Sequence, residues 1–160
     1  MRAISKLAII AVALCAGLGL TDANAWSPSN VAGSYGFRFS GMDSVLGHWV
    51  VGTGEFVANG AKGITGGSIS YNDGGAVCHG TLSPAPKSNY NVFVDGEGVL
   101  LLVFTIVSGT CPFNDLSFDT AIALPNSAGI ATLVKMNTFS VLEGSGPQTA
   151  VMLEGDAHLL

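Results

Sequence analysis

The sequence predicts an all-β domain: an antiparallel meander of about eight or nine strands closed into a small β-barrel. Three observations predict it. Turn signals built on Gly, Asn, Asp and Pro recur at spacings of roughly 10–15 residues. Between them, apolar and polar residues tend to alternate with a period of two. No stretch after residue 25 carries a helical apolar period.

The elements follow in order. "GSYGFRFSG" (33–41) places Tyr35, Phe37 and Phe39 on one strand face, with Arg38 on the other. "TGEFVA" (53–58) and "ITGGSISY" (64–71) flank "NGAKG", where Asn59-Gly60 tolerates the positive φ of a hairpin turn. The glycine-rich run 52–75 lacks the GxxxxGK[ST] and GxGxxG spacings of phosphate loops; Lys62 stands between Ala61 and Gly63. Gly52, Gly54, Gly66 and Gly67 fall inside strands, where glycine marks a bulge, a bend or a close approach. After the turn at Asn72–Gly75 come "AVCHGTLS" (76–83), "YNVFV" (90–94), "VLLLVFTIV" (99–107), "SFDTAIAL" (117–124), "IATLVKMNTF" (130–139) and "TAVMLEGDAHL" (149–159). Consecutive hairpins favour a meander, and closing it removes the edge strands. A β-sandwich is the competing architecture. An outer-membrane barrel fits less well, because "VLLLVFTIV" does not alternate and other strands are rich in Gly and Ser.

The N-terminus reads as an export signal: Arg2 and Lys6, an apolar run from Leu7 to Leu20, then Ala23-Asn24-Ala25. As a helix the run would span about 21 Å, short of the ~30 Å hydrocarbon core. Leu14 before Cys15 is too large for the usual lipoprotein signal. Residues 1–25 are therefore read as a signal peptide and 26–160 as one domain, exported to the periplasm or the medium, with no membrane span after cleavage. Residues 26–160 carry four cations (Arg38, Lys62, Lys87, Lys135) against ten acids, a net charge of −6. Four scattered cations cannot neutralise a row of phosphates, so nucleic acid and anionic membranes are excluded as partners.

Cys78 and Cys111 are the two cysteines left after cleavage, and in an oxidising compartment they are expected to bond. A simple meander strains that expectation. It puts Cys78 near the start of its strand and Cys111 at the opposite end two strands later, roughly 17 Å away over five residues.

Catalytic patterns are missing. His48, His79 and His158 form no HxH or HxxxH pair, and no metal or other cofactor is expected. There is no GxSxG, and "GGSIS" near Ser68 reads as hairpin packing. Asp119 and Glu154 lie within apolar strands, where alternation turns them to solvent, as it does Arg38. The aromatic residues Tyr35, Phe37, Phe39, Trp49, Phe56, Tyr71, Phe93 and Phe104 form the candidate site. They either fill the lumen or line a pocket for a small apolar ligand.

"GSYGFRFSG", "GTGEFVANGAKGITGGSISYNDGG", "CHGTLS" and "VDGEGVLLLVF" together resemble a group of small exported bacterial proteins of unknown function. The shared text is a G-x-Y-x-F opening, a G-x-F-x-x-D/N-G-x-G-x-I-x-x-G hairpin and a D-G-x-G-x-L hairpin, over about Gly33 to Thr105. The same strands are similar to calycin-type barrels (lipocalins and avidins), with Tyr35 in place of their G-x-W tryptophan. They are also similar to allene-oxide-cyclase-like and dirigent barrels. The resemblance implies a barrel able to hold a small molecule and transfers no catalytic residue. The expected role is a binding or structural-interaction module. The alternatives are a barrel enzyme acting on a small apolar substrate and a surface module that meets a protein through an open sheet edge. N-terminal sequencing of the exported protein should begin at Trp26; an intact Met1, or lipid on Cys15, would overturn the assignment of compartment.

Overall fold

A computed structural model describes residues 25–44, 46–142 and 149–160, and side chains outside 138–151. Apart from Ala25, the expected leader lies outside the described residues. A 3₁₀ turn, Pro28–Asn30, precedes nine strands: β1 Ala32–Asp43, β2 His48–Asn59, β3 Ile64–Asp73, β4 Ala76–Leu82, β5 Asn89–Val92, β6 Glu97–Gly109, β7 Asp115–Pro125, β8 Ala131–Leu142 and β9 Thr149–Leu159. All nine predicted strands are present. No described helix is long and apolar enough to cross a membrane.

The strands form one antiparallel sheet in the order β4-β3-β2-β1-β9-β8-β7-β6-β5, and β4 also pairs with β6. Hydrogen bonds therefore run around a closed, barrel-like ring of eight strands. The ring departs from the simple meander at one place. β4 pairs with the C-terminal half of β6, from Phe104 to Gly109, and β5 pairs with its N-terminal half, from Gly98 to Leu101. β4 and β5 thus share one edge of β6, and β5 takes no separate place in the ring. Where the chain steps between them, the Ser88 hydroxyl donates to Val103 O and accepts from Val103 N, each at 3.0 Å. Ser83 N donates to the same carbonyl at 2.7 Å. These bonds satisfy the half-buried Val103 on the edge of β6 where neither β4 nor β5 places a residue opposite.

This closure corrects the two-strand separation expected between the cysteines. Because β4 is the antiparallel neighbour of β6, Cys78 at the start of β4 lies opposite Gly109 at the end of β6. The loop after β6 then brings Cys111 to a Cα–Cα distance of 5.1 Å from Cys78, and the two are disulfide-bonded. Bonded cysteines are compatible with an exported protein.

The strand glycines divide by role. Phe39 lies opposite Gly52 and Phe37 opposite Gly54. A Cβ at either glycine would enter the facing ring. These glycines make room for phenylalanine, and Gly80 does the same for Phe104. Gly66 and Gly67 sit at a bulge instead. The β2–β3 register slips between Val57 and Ala58, and Gly67 has φ +144. The bulge sharpens local twist and helps the sheet curve.

The inward faces form a single core from Val31 to Ala157. The 26–31 segment covers one end. There the Tyr90 hydroxyl lies 2.6 Å from Val31 O, and Asn30 Nδ2 donates to Gly129 O at 2.8 Å. The loop before β7 folds in at the other end, where Phe113 is 3 % exposed. With the cysteines 33 positions apart in sequence, replacing both by alanine should cost about 3–4 kcal/mol by loop entropy. Denaturant unfolding of the double variant measures it, and thiol titration of the unfolded parent should find no free thiol.

Candidate functional site

Alternation along β1 buries Tyr35, Phe37 and Phe39, at 0–4 % exposure. Phe56, Tyr71 and Phe104 join them inside. The rings meet directly. Tyr35 stacks on Phe56 with centroids 5.1 Å apart, Phe37 lies 6.0 Å from Phe56, and Tyr71 stands edge-on to Phe104 at 6.1 Å. Each buried aromatic side chain contributes roughly 1.5–3 kcal/mol. Burial pushes the Tyr35 phenol up to about 12, with Tyr90 a smaller influence. Its hydroxyl donates to Ala131 O at 2.8 Å.

Trp49 and Phe93 are not part of this cluster; they are 67 % and 48 % exposed. The reason is parity. Trp49 is seven residues from the inward Phe56, so it falls on the opposite face. Phe93 follows Val92, the inward residue that ends β5. The sequence reading missed three inward aromatics. Tyr90 has the parity of Val92, and Phe118 lies on β7 6.2 Å from Phe39. Phe113 comes from a loop that no strand pattern marks, and stacks on Tyr71 at 4.2 Å. The Tyr71 hydroxyl donates to Phe113 O at 2.8 Å. Among Val31, Phe56, Tyr90 and Val134 lies a cavity of about 10 Å³, room for about one water centre.

The outer face offers more space. Arg38, Asp156 and Lys135 stand side by side across β1, β9 and β8, and Ser40, Glu154 and Asn137 form the next row. They line an open groove of about 560 Å³. Arg38 Nε donates to Asp156 Oδ1 at 2.9 Å, with the Arg38 side chain 78 % exposed as alternation expects. His158 Nε2 lies 2.5 Å from Asp156 Oδ2. Hydrogen bonding from Arg38, then from His158, holds the Asp156 carboxyl below its usual range against some desolvation. Two positions further along β1, Met42 pairs with Trp49 on one side and with Met152 on the other, and all three are exposed. Asp119 and Glu154 also face solvent. Ser70 and His79 share a 2.8 Å hydrogen bond on the open face of β3 and β4.

At the Phe113 end, the inward positions turn acidic. Asp43 and Asp73 are buried, at 0 % and 3 % exposure, with His48 beside them. No sequence motif marks them, because they belong to separate hairpins. Desolvation, then the Asp43 charge, raises the Asp73 carboxyl, while His48 lowers it.

No known family model, curated protein or solved structure matches the chain.

The Asp73 shift has a definite sign. A folded pKa above the unfolded one means that the native state binds more protons, so stability falls as pH rises out of the ordinary carboxylate range through the folded pKa. Asp73→Asn should therefore raise Tm at pH 7 in metal-free buffer, with the gain shrinking toward pH 4. Thermal melts of parent and variant across that range check it.

Proposed function

We propose that the protein is an exported binding or structural-interaction module that works through its outer face. The observation that carries this reading is the exposed Met152–Met42–Trp49 row. An exposed tryptophan between paired strands, beside two exposed methionines, has the composition of an interface core. Single exposed apolar residues need no explanation, but three in register form a contiguous patch. The polar groove of Arg38, Lys135, Glu154 and Asp156 continues along the same strands and supplies the charged rim that favours a protein partner. The lumen supports the same reading from the other side. Its aromatics pack on one another, so a small apolar ligand would have to displace them.

Trp49→Ser with Met42→Ser changes only exposed side chains, and each substitution should alter stability by no more than about 0.5 kcal/mol. A photocrosslinking residue at position 49, in the protein's own cell envelope, should give one discrete adduct. The same residue at Glu55 should give none, and the adduct at 49 should be lost on adding Met42→Ser. Native mass spectrometry of the purified protein should show the bare chain. A retained small apolar molecule would overturn the reading in favour of a ligand in the lumen.

A further inference from the structure

The mouth at the Phe113 end holds a second group of polar side chains, separate from the outer face. Asp43 and His48 are register partners across β1 and β2, and Asp73 pairs with Val50 one step along. Asp43 and Asp73 have the inward parity of Phe39 and Tyr71, so both carboxylates close over the aromatic core.

Asp43 Oδ1 accepts a hydrogen bond from Leu46 N at 2.9 Å. The Asp73 side chain is 1 % exposed, and its Oδ1 is buried with no hydrogen-bond partner. That oxygen points into the cluster, 3.8 Å from His48 Nδ1. Among the described residues no lysine or arginine forms an ion pair with it.

A buried carboxylate is tolerated when a proton, a cationic side chain or a bound cation neutralises it. His48, the neighbouring group that could carry a positive charge, stands 3.8 Å from the Asp73 Oδ1, beyond hydrogen-bond distance, and leaves that oxygen without a hydrogen-bond partner. A divalent ion would bind it directly, and paired carboxylate oxygens are the donors that calcium-type ions take. We propose that Asp43 and Asp73 form a binding site for a hard divalent cation of the calcium class, with the Asp73 Oδ1 as a direct ligand. Among the described residues no three acidic, histidine or cysteine side chains are grouped to hold a metal. Water and main-chain oxygens therefore complete the shell, as is common for hard cations. The crowding that suits an ion also raises the Asp73 pKa. An ion here would tie the 43–48 hairpin to the 73–76 turn. Those two segments already meet where Gly74 N donates to Trp49 O at 3.2 Å, and where the His48 ring lies against Gly74.

The test uses purified protein, stripped with a chelator and titrated with CaCl₂ by calorimetry and thermal melting. A saturable single-site heat is expected by about 10 mM, roughly ten times the Kd of about 1 mM at the weak end of extracellular calcium sites. Tm should rise by about 3–5 °C at roughly ten times Kd. Asp73→Asn, nearly isosteric, should keep the parent's near-UV dichroism and lose both responses. Asp95→Asn, on an exposed turn, should keep both. No heat and no shift at that concentration would overturn the proposal. So would an equal response in Asp73→Asn, which would mark general screening of an acidic chain. A chain stabilised by acid and indifferent to CaCl₂ would show that a proton does the neutralising, and would equally reject the site.

Discussion

The pairing of β4 with β6 is the contact on which the other features rest. Without it the nine strands would form an open sheet with two exposed edges, β4 and β5, each a row of unsatisfied N–H and C=O groups. With it, β4 and β5 lie end to end along β6 and the ring closes at eight. Closure then determines which side of each strand faces inward. It also brings Cys78 beside Gly109, so that the loop carrying Cys111 turns back over the end of the ring and delivers Phe113 onto Tyr71. The Ser88–Val103 bonds belong to the same constraint, because a strand that shares an edge leaves a gap to be filled.

Glycine and aromatic residues solve one packing problem between them. A ring of eight strands encloses little volume, and large side chains fill it only if their neighbours are small. Phe39 over Gly52, Phe37 over Gly54 and Phe104 over Gly80 meet that condition strand by strand. The result is an interior with a cavity of about 10 Å³ and an outer face free to vary. The division of labour follows from this: the inside holds the fold together, and the groove and the Trp49 row lie on the solvent side, where the proposed partner would meet them.

The Phe113 end departs from that economy. Two carboxylates sit there in place of apolar residues, and the Asp73 Oδ1 has no hydrogen bond to offset its desolvation. At the opposite end the polar groups of Tyr90 and Asn30 are satisfied by main-chain carbonyls. The asymmetry sets the mouth apart as the end, among the described residues, where a buried carboxylate oxygen lacks a hydrogen-bond partner.

Much of the architecture was readable from the sequence alone. Turn chemistry at Asn59-Gly60 and Asn72–Gly75, and alternation through Tyr35, Phe37 and Phe39, are local properties. A residue's φ preference and its parity along a strand need no distant partner, so all nine strands and the outward Arg38 followed from them. Parity strictly applied would also have turned Trp49 outward and Tyr90 inward. Other features depend on contacts between segments far apart in the chain, which local pattern cannot rank. The sharing of β6 by β4 and β5 is one, and the inward fold of Phe113 is another. The meeting of Asp43 with Asp73 across two hairpins is a third. Ring closure decided the first two, by setting β4 beside β6, and the register of β1 on β2 and β2 on β3 decided the third, by ending both strands at the same mouth.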